Sequence, residues 1–282
     1  MNLQLKAQRQ QTAGVTTQHH TLLDRRMSYT ACQILELVAG AHWEDTLKET
    51  EECCLVVLTG QVDVVAADAS YSNLGKRQSV HEQVPTDSLY MPADTSFRVQ
   101  AVSRAKIALC RAPYNVARYG TAKPVRLLPA AQVGVERRGT GHNVRQVFNI
   151  LPDDAPFAHS LLVVEVITAS GNSSSYPPHK HDQDNLPHES FLEEIYYHEI
   201  HPPQGFVFQR VYTDDRSLDQ TLSVENQDLV LVPKGYHPVT VPAGYSSYYL
   251  NVMAGPVRKW QFHNDPAHAW ILDTPPVTEV SP

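Results

Sequence analysis

The sequence predicts an all-β protein built from two copies of one β-barrel unit. Short runs rich in valine, leucine and tyrosine recur along the 282-residue chain, and each is bounded by glycine, proline, asparagine or aspartate. Runs of this length and spacing are typical of antiparallel sandwiches and barrels. Segments with helical periodicity are scarce, and 20 prolines argue against a helical bundle.

An internal repeat supports the two-copy interpretation. The segment that begins at Asp87 (DSLYMPADTSFRV) is similar to the segment that begins at Asp228 (DLVLVPKGYHPVT), and 141 residues, half the chain, separate them. A strand, a glycine turn and a second strand also occur at 55–65 and again at 201–211. In each half a pair of glutamates leads the first of these strands: Glu51-Glu52 and Glu193-Glu194. Repetition in the same order indicates a duplicated β unit.

These patterns divide the chain into four segments. We expect a mobile or poorly ordered N-terminal arm at 1–26, an N-terminal barrel at 27–135, a C-terminal barrel at 136–273 and a tail at 274–282. The first dozen residues are polar and the tail reads TPPVTEVSP, compositions that are typical of mobile ends.

Composition excludes several classes of protein. With 42% hydrophobic and 19% charged residues, the chain can bury a sizeable core. The net charge is −7 and no basic block is present, so neither nucleic acid nor an anionic membrane is an expected partner. No stretch reads as a signal peptide or a transmembrane helix. The four cysteines include an adjacent pair and no CxxC, a pattern that suits the reducing cytoplasm and disfavours a thiolate zinc site.

The segment YPPHKHDQDNLPHESFLEEIYYH (176–198) contains the residues that carry chemistry. Residues i and i+2 of a strand face the same side, so His179 and His181 can present their imidazoles to one ion. Glu194 leads the next apolar strand, and His237 follows a Pro-Gly turn. Three imidazoles and a carboxylate suit one divalent transition metal, zinc in the first place, with manganese, iron and nickel as alternatives.

This order of ligands resembles the cupin pattern, in which an HxH motif and a glutamate precede a histidine after a Pro-Gly turn. The motifs PPHKHD, LEEIYYH, GFVFQRVYTDDRSLD, LVPKGYHPV, GYSSYYLNVMAGP and NDPAHAWI resemble the 5-deoxy-glucuronate isomerase family of inositol catabolism. That family is similar to the isomerases of 4-deoxy-5-ketouronates from pectin. The resemblance is dense from 138 to 272, and looser but collinear from 27 to 130.

The resemblance implies a fold and an activity. The fold would be a bicupin, two tandem double-stranded β-helix (jelly-roll) barrels. The activity would be a metal-dependent aldose–ketose isomerisation of 5-deoxy-glucuronate to 5-dehydro-2-deoxy-gluconate. The expected partner is a small uronate-like sugar acid, and we expect the protein to form a homo-oligomer.

The identity of the carboxylate ligand stays open at this point. Cupins place the glutamate only a few residues beyond HxH, whereas here Glu189 lies eight residues and Glu194 thirteen residues after His181. We favour Glu194, because it leads a strand and has a counterpart at Glu52 in the first half. Glu189 is the alternative, and Glu193 should face away from Glu194.

The first barrel is expected to lack a metal. The position that matches His237 is Ser96, and no HxH motif precedes Glu52. His42-Trp43-Glu44 is at most a remnant of a site. The first barrel would then serve packing and assembly.

The reaction requires a base that moves a proton between neighbouring carbons. Glu194 or Glu189 could serve, and the sequence does not decide between them. Arg210 is our candidate for the substrate carboxylate, because a guanidinium pairs bidentately with one; the alternative is a structural ion pair with Asp214 or Asp215. Further candidates for lining the site are Tyr249, Arg258, Lys180 and His198.

Three other functions are compatible with a bicupin fold. A non-catalytic sugar-binding bicupin would lack an intact ligand set, and a metal-dependent oxygenase would need Fe(II) and consume oxygen. An isomerase of another deoxy-ketouronate is a third alternative. The segment RRGTGHN (137–143) contains GxG, but no strand–turn–helix pattern surrounds it, so dinucleotide binding is not expected.

Overall fold

The computed structural model describes residues 2–21, 24–115, 117, 120 and 124–273, and the predicted tail at 274–282 lies outside the described residues. The strands of the first half are β1 (Gln4–Leu5), β2 (Gln10–Thr12), β3 (Val15–His20), β4 (Ala31–Leu37), β5 (His42–Thr46), β6 (Glu51–Thr59), β7 (Val62–Ala66), β8 (Ala69–Leu74), β9 (Ser88–Met91), β10 (Ser96–Ala101), β11 (Ala105–Pro113) and β12 (Arg126–Leu128).

The second half continues the same architecture. Its strands are β13 (Gly134–Arg138), β14 (Arg145–Leu151), β15 (Leu162–Thr168), β16 (Ser173–Ser174), β17 (His179–Lys180), β18 (Asp182–Asn185), β19 (Glu189–Phe191), β20 (Glu193–His201), β21 (Phe206–Tyr212), β22 (Asp219–Glu225), β23 (Leu229–Val232), β24 (Val239–Thr240), β25 (Ser246–Ala254) and β26 (His263–Asn264). Short 3-10 helices are Val80–Glu82, Ala130–Gln132, Gly141–Asn143 and Ala269–Asp273. The all-β prediction is confirmed. No helix within the described ranges is long and apolar enough to span a membrane.

Two barrels share one topology. The first barrel combines a seven-stranded sheet of order β12-β9-β6-β11-β4-β3-β2 with a four-stranded sheet of order β5-β10-β7-β8. The second barrel combines β1-β23-β20-β25-β15-β14-β13 with β16-β24-β21-β22. The equivalent strands β9 and β23 begin 141 residues apart, as do β11 and β25, which is the spacing of the sequence repeat. Between β16 and β20 the second half has three short strands: β17 carries His179 and pairs with β26, and β18 and β19 form a hairpin.

Each repeat gives its first strand to the barrel of the other repeat, when β12 is counted with the second repeat because it precedes β13 as β1 precedes the equivalent strand β2. β1 pairs with β23 of the second barrel, with Gln4 opposite Val230, whereas β12 pairs with β9 of the first barrel. The chain passes from one barrel to the other at the 3-10 helix Ala130–Gln132, so the expected boundary at 135/136 falls inside β13.

The N-terminal segment differs from the expectation of a mobile arm. Within 1–26, residues 2–21 contribute β1, β2 and β3 to the two large sheets, and Leu3 is completely buried. Its polar composition misled the interpretation, because β2 and part of β3 lie at an exposed sheet edge, where polar residues are tolerated.

The equivalent strands β6 and β20 send different side chains into their barrels. Because side chains alternate along a strand, one set enters the barrel and the other faces the opposite barrel. The interior of the first barrel receives Cys53, Leu55 and Val57 from β6, and the interior of the second receives Glu194, Tyr196 and His198 from β20.

Cys53, rather than Glu52, is therefore the counterpart of Glu194. Cys53 pairs with the last residue of β9, and Glu194 pairs with the last residue of the equivalent strand β23. The expected correspondence between Glu194 and Glu52 was wrong by one residue, and a one-residue shift moves a side chain to the other face of the sheet. Glu52 corresponds to Glu193, and both face the opposite barrel.

Glu52 and Glu193 form two reciprocal carboxylate clamps between the barrels. The carboxylate of Glu52 accepts hydrogen bonds from the backbone N–H groups of residues 159, 160 and 161, at 3.0, 2.6 and 2.7 Å, directly before β15. The carboxylate of Glu193 accepts them from Ser28 and Tyr29, each at 2.7 Å, directly before the equivalent strand β4. The Tyr90 hydroxyl also donates to Glu52 at 2.6 Å. Each barrel thus satisfies backbone donors of the other.

A buried ion pair lies at the same interface. Arg77 of the first half donates to the carboxylate of Glu165 in β15, and both side chains are essentially inaccessible to solvent. The Tyr248 hydroxyl donates to the same carboxylate at 2.6 Å, so the charge is paired as well as hydrogen-bonded.

The clamps predict that substitution of Glu52 strongly lowers the stability of the protein. In Glu52→Ala, three buried backbone N–H groups would lose their acceptor, at about 1–3 kcal/mol for each unsatisfied group. We expect the free energy of unfolding, measured by urea denaturation, to fall by at least about 3 kcal/mol. The control Glu44→Ala removes a surface ion pair with Arg98 and should change it by no more than about 1 kcal/mol. Equal effects for the two variants would contradict the role of the clamp.

Candidate metal centre

Three histidines of the second barrel form a buried cluster. His179 and His181 lie on and directly after β17, and His237 follows the turn after β23. Their ligand atoms all lie within 4.8 Å of one another, and His237 is completely buried. Among the described residues, this is the one group of three or more histidine, cysteine or acidic side chains that could hold an ion.

Glu194 completes the cluster from the start of β20. Its Oε2 lies 3.1 Å from Nε2 of His181 and 3.1 Å from Nε2 of His237. Burial alone would raise the pKa of Glu194, but the imidazoles of His237 and His181 outweigh it and lower the pKa to about 2. Glu194 is therefore ionised at neutral pH. Within the described part of the chain, no other carboxylate oxygen comes within 4.0 Å of a nitrogen of these three histidines.

Backbone carbonyl groups orient two of the imidazoles. Nδ1 of His181 lies 2.9 Å from the carbonyl oxygen of Leu192, and Nδ1 of His237 lies 2.8 Å from that of Gly235. With the proton on Nδ1, each ring would present an unprotonated Nε2 to a bound ion, the arrangement that metal-binding histidines adopt; without an ion, Nε2 of His181 lies at hydrogen-bond distance from Oε2 of Glu194. Gly235 has φ of +95°, and a Cβ there would lie 2.5 Å from the carbonyl oxygen of Tyr212, so the turn requires glycine.

The donor set fits a divalent ion. Nε2 of His237 is buried and has no hydrogen bond of acceptable geometry, although Glu194 is near. Burial, followed by the neighbouring imidazoles of His237 and His181, lowers the pKa of His179 well below its usual value, so this ring is neutral and can donate a lone pair. Neutral imidazole nitrogens with one carboxylate are typical ligands of a transition metal.

Glu189 is not part of the cluster. Its carboxylate accepts hydrogen bonds from Nζ of Lys180 at 3.1 Å and from the backbone N–H of Asp182 at 2.7 Å. Lys180 lies between the two histidines of the HxH motif and therefore points to the opposite face of the segment. The structure thus places Glu189 apart from the histidines, on the side of the segment occupied by Lys180.

Arg210 also lies outside the cluster. It belongs to β21, where Gln209 faces the interior and Arg210 faces outward, with 42% of its side chain exposed. The guanidinium forms a bidentate pair with Asp219, at 2.8 and 2.7 Å, and stacks over the ring of Tyr212. The alternative of a structural ion pair was right in kind, although its partner is Asp219 instead of Asp214 or Asp215.

Aromatic and polar side chains line the barrel interior beyond the cluster. The ring of Tyr196 lies 5.8 Å from that of His237 and 4.9 Å from that of Tyr249. Nε2 of His198 lies 3.0 Å from Oε1 of Gln209, and burial lowers the pKa of His198 to about 4. The expected candidates Tyr249 and His198 therefore face the interior. Arg258 does not, because its guanidinium donates to backbone carbonyl groups in 151–161.

A cavity of about 290 Å³ opens beside His179. Its lining residues include Arg145, Tyr176, Phe262 and Asn264, and the 3-10 helix Ala269–Asp273 contributes one wall. Larger cavities, such as one of about 820 Å³ near His19 and His20, lie away from the cluster. Arg145, which follows the glycine-containing segment 137–143, was not among the residues predicted from the sequence.

The first barrel has no comparable cluster within the described residues. Cys53 replaces the glutamate and is buried among apolar side chains, and burial raises the pKa of its thiol to about 12. Arg111 lies buried at the same end of the barrel, where it pairs with Asp45 at 2.6 Å and Glu51 at 2.7 Å. Ser96 is exposed, as is His42 of the supposed remnant. An arginine cation thus balances the acidic groups at this end of the first barrel.

Solved structures of other proteins share this fold. The crystal structure of an IolB-like protein from Salmonella typhimurium LT2 superposes with a TM-score of 0.89 at 46% identity, over 96% of this chain and 99% of that one. The oxalate decarboxylase of Lactobacillus farciminis, in its formate complex, gives a TM-score of 0.65 at 14% identity, over 94% of this chain and 88% of that one, a likeness of fold alone. The expected bicupin architecture agrees with both.

Proteins of known name are similar in sequence to this one over most of its length. The 5-deoxy-glucuronate isomerase of Halalkalibacterium halodurans is 56% identical over 92% of this chain and 94% of its own, and that of Bacillus subtilis strain 168 is 54% identical over the same shares. The model of the KduI/IolB family matches residues 3–271. The resemblance inferred from the motifs is confirmed, and the chain belongs to the KduI/IolB family.

Proposed function

We propose that the protein is a metal-dependent aldose–ketose isomerase that converts 5-deoxy-glucuronate to 5-dehydro-2-deoxy-gluconate in inositol catabolism. The observation that carries this proposal is the buried cluster of His179, His181, His237 and Glu194 in a chain more than half identical to 5-deoxy-glucuronate isomerases. The expected homo-oligomer and the cytoplasmic location stay predictions.

The cluster would hold one divalent ion, and zinc suits its nitrogen-rich set of donors best. His181 and His237 would bind through Nε2, since their Nδ1 atoms contact backbone carbonyl groups. When bound, such an ion polarises the carbonyl group of a substrate and stabilises negative charge that develops on its oxygen atoms.

The side chains of the protein would position the substrate and move the proton. The reaction moves a proton from the hydroxyl-bearing carbon to the adjacent aldehyde carbon, and the hydroxyl proton passes to the former aldehyde oxygen, so that a ketone beside a CH2OH group results. Glu194 is ionised and is our candidate both for holding the ion and for transferring this proton, because Glu189 is engaged by Lys180. Burial raises the pKa of Tyr196 and of Tyr249, so both hydroxyl groups keep their protons and can donate hydrogen bonds to substrate oxygens.

A direct assay tests the activity. Purified protein, with its metal content determined by mass spectrometry, would be incubated with 5-deoxy-glucuronate, and the product ketone followed by NMR. An oxygen electrode in the same mixture separates isomerase from oxygenase, because only an oxygenase consumes oxygen. Metal-loaded protein that leaves 5-deoxy-glucuronate unchanged but isomerises another deoxy-ketouronate would move the assignment to that substrate.

The histidine ligands can be tested without turnover. We expect His179→Ala and His237→Ala each to lose the metal while the circular dichroism spectrum stays that of a folded β protein, because neither ring belongs to the apolar core. Ser96→Ala, at the matching position of the first barrel, is the control and should keep both metal and turnover. Full metal occupancy in either histidine variant would show that the ion binds elsewhere.

Substitution of Glu194 should affect metal binding, whereas substitution of Glu189 should affect stability. Glu194→Gln removes the carboxylate that contacts two of the histidines, so metal content after dialysis should fall strongly, with affinity reduced by orders of magnitude. Glu189→Gln should keep its metal but lose about 1–3 kcal/mol of stability, because Lys180 would lose a buried charged partner. A metal-free Glu189→Gln beside a fully loaded Glu194→Gln would exchange the two roles.

A further inference from the structure

We propose that Arg145 binds the carboxylate of the substrate, so that the cavity beside His179 is an anion-binding subsite and Arg145 determines specificity for sugar acids. This inference rests on the proposed function, which supplies a substrate with an aldehyde at one end and a carboxylate at the other. Arg145 would hold the carboxylate end of this substrate.

Arg145 lies at the correct place for this role. It is the first residue of β14, and its side chain lines the same cavity as His179. The cavity, at about 290 Å³, is close to the lower end of the range of about 300–1,000 Å³ that is usual for small-molecule sites. Arg145 also lies close enough to the rings of Tyr249 and Tyr196 to interact with them electrostatically. It is the one lysine or arginine among the described residues that line this cavity.

The guanidinium of Arg145 has no anionic partner in the part of the chain that the structure describes. No carboxylate oxygen lies within 4.0 Å of it, whereas the buried Arg77 pairs with Glu165 and the buried Arg111 pairs with Asp45 and Glu51. Burial lowers the pKa of Arg145, which indicates that its charge is poorly compensated. Arg145 is partly buried, and a charge that is partly removed from water without an anionic partner is stabilised by an anionic ligand.

The donors of Arg145 are only partly used. Nη1 donates to the backbone carbonyl of Asn143 at 2.9 Å and more weakly to that of Tyr176 at 3.4 Å. Within the described ranges, Nε and Nη2 have no hydrogen-bond partner. Arg258 provides the contrast, because its Nε, Nη1 and Nη2 all donate to backbone carbonyl groups. Nε and Nη2 of Arg145 are the pair of donors that a carboxylate accepts in a bidentate fashion.

The loop that holds Arg145 is built around a glycine. Gly139 has φ of +84°, and a Cβ at this position would lie 2.1 Å from the carbonyl oxygen of Asn143 and 2.9 Å from Nη1 of Arg145. Only glycine therefore lets residues 139–144 fold against the guanidinium and present the Asn143 carbonyl to it. The segment RRGTGHN, which has no dinucleotide-binding context, thus has a role in positioning Arg145.

Two non-reactive open-chain probes test the inference: D-gluconate, which carries a carboxylate, and D-glucitol, which is neutral. Affinities would be measured by calorimetry on zinc-loaded protein. We expect the unmodified protein to bind gluconate more tightly than glucitol. Arg145→Met should weaken gluconate binding about 10- to 100-fold, the usual effect of losing a charge-assisted pair, and leave glucitol binding unchanged. Arg145→Lys should recover part of the loss, since it keeps the charge without the planar fork.

The matched control is Arg210→Met, which removes an outward-facing arginine and should bind both probes like the unmodified protein. Unchanged gluconate affinity in Arg145→Met would overturn the inference, as would an equal loss for both probes or a lack of discrimination in the unmodified protein. Zinc content and circular dichroism of each variant show whether it is folded and loaded, and Arg145→Lys supplies the test if the methionine variant does not fold.

Kinetics with 5-deoxy-glucuronate keep the inference distinct from the proposed function. If Arg145 binds the carboxylate equally in the ground state and the transition state, Arg145→Met should raise KM by a similar factor with little change in kcat. Absence of turnover by the unmodified protein would contradict the proposed function, whereas the probe affinities would still decide whether Arg145 is an anion site.

Discussion

The burial of two carboxylates between the barrels is the constraint on which the rest of the structure depends. A carboxylate without partners in a protein interior is very costly, so Glu52 and Glu193 are tolerated because each accepts backbone N–H groups of the opposite half. These donors lie directly before β15 and β4, central strands of the two large sheets. Burial still raises the pKa of Glu193, although the N–H groups of Ser28 and Tyr29 oppose this effect. The strand that carries each clamp also carries, on its other face, the residue that defines the character of its barrel interior.

That second face explains how duplicated barrels acquired different roles. At equivalent positions the first barrel has Cys53 and the second has Glu194, so one interior is continuous with an apolar core and the other begins with an ionised carboxylate. The segment between β16 and β20 carries the HxH motif, and the corresponding segment between β5 and β6 has no histidine. In the first barrel, the guanidinium of Arg111 lies at the corresponding end. It pairs with both Asp45 and Glu51, so the charges of these two carboxylates are balanced by the protein itself.

The sequence was sufficient to predict the fold class, the repeat and the four clustered residues, because HxH, the strand-leading Glu194 and the Pro-Gly turn before His237 are local patterns. It was insufficient wherever the result depended on which face of a strand a residue occupies. Glu52 and Arg210 were both placed on the wrong face, since alternation predicts which residues share a side but leaves open which side is inside. Arg145 was missed because its role depends on a loop conformation that Gly139 permits and on a missing anionic partner, and neither can be read from spacing.

The exchange of β1 and β12 makes the two repeats structurally dependent on each other. The large sheet of each barrel is completed at its edge by the first strand of the other repeat. Neither repeat therefore contains all the strands of one barrel. A gene fragment that encoded the second repeat alone would lack the strand that covers β23 and would carry β12 without its partner β9. The first repeat, in which the described residues form no group of metal ligands, therefore supplies the strand that completes the sheet of the other barrel. The two repeats thus depend on each other for complete sheets, although the histidine group found among the described residues lies in only one barrel.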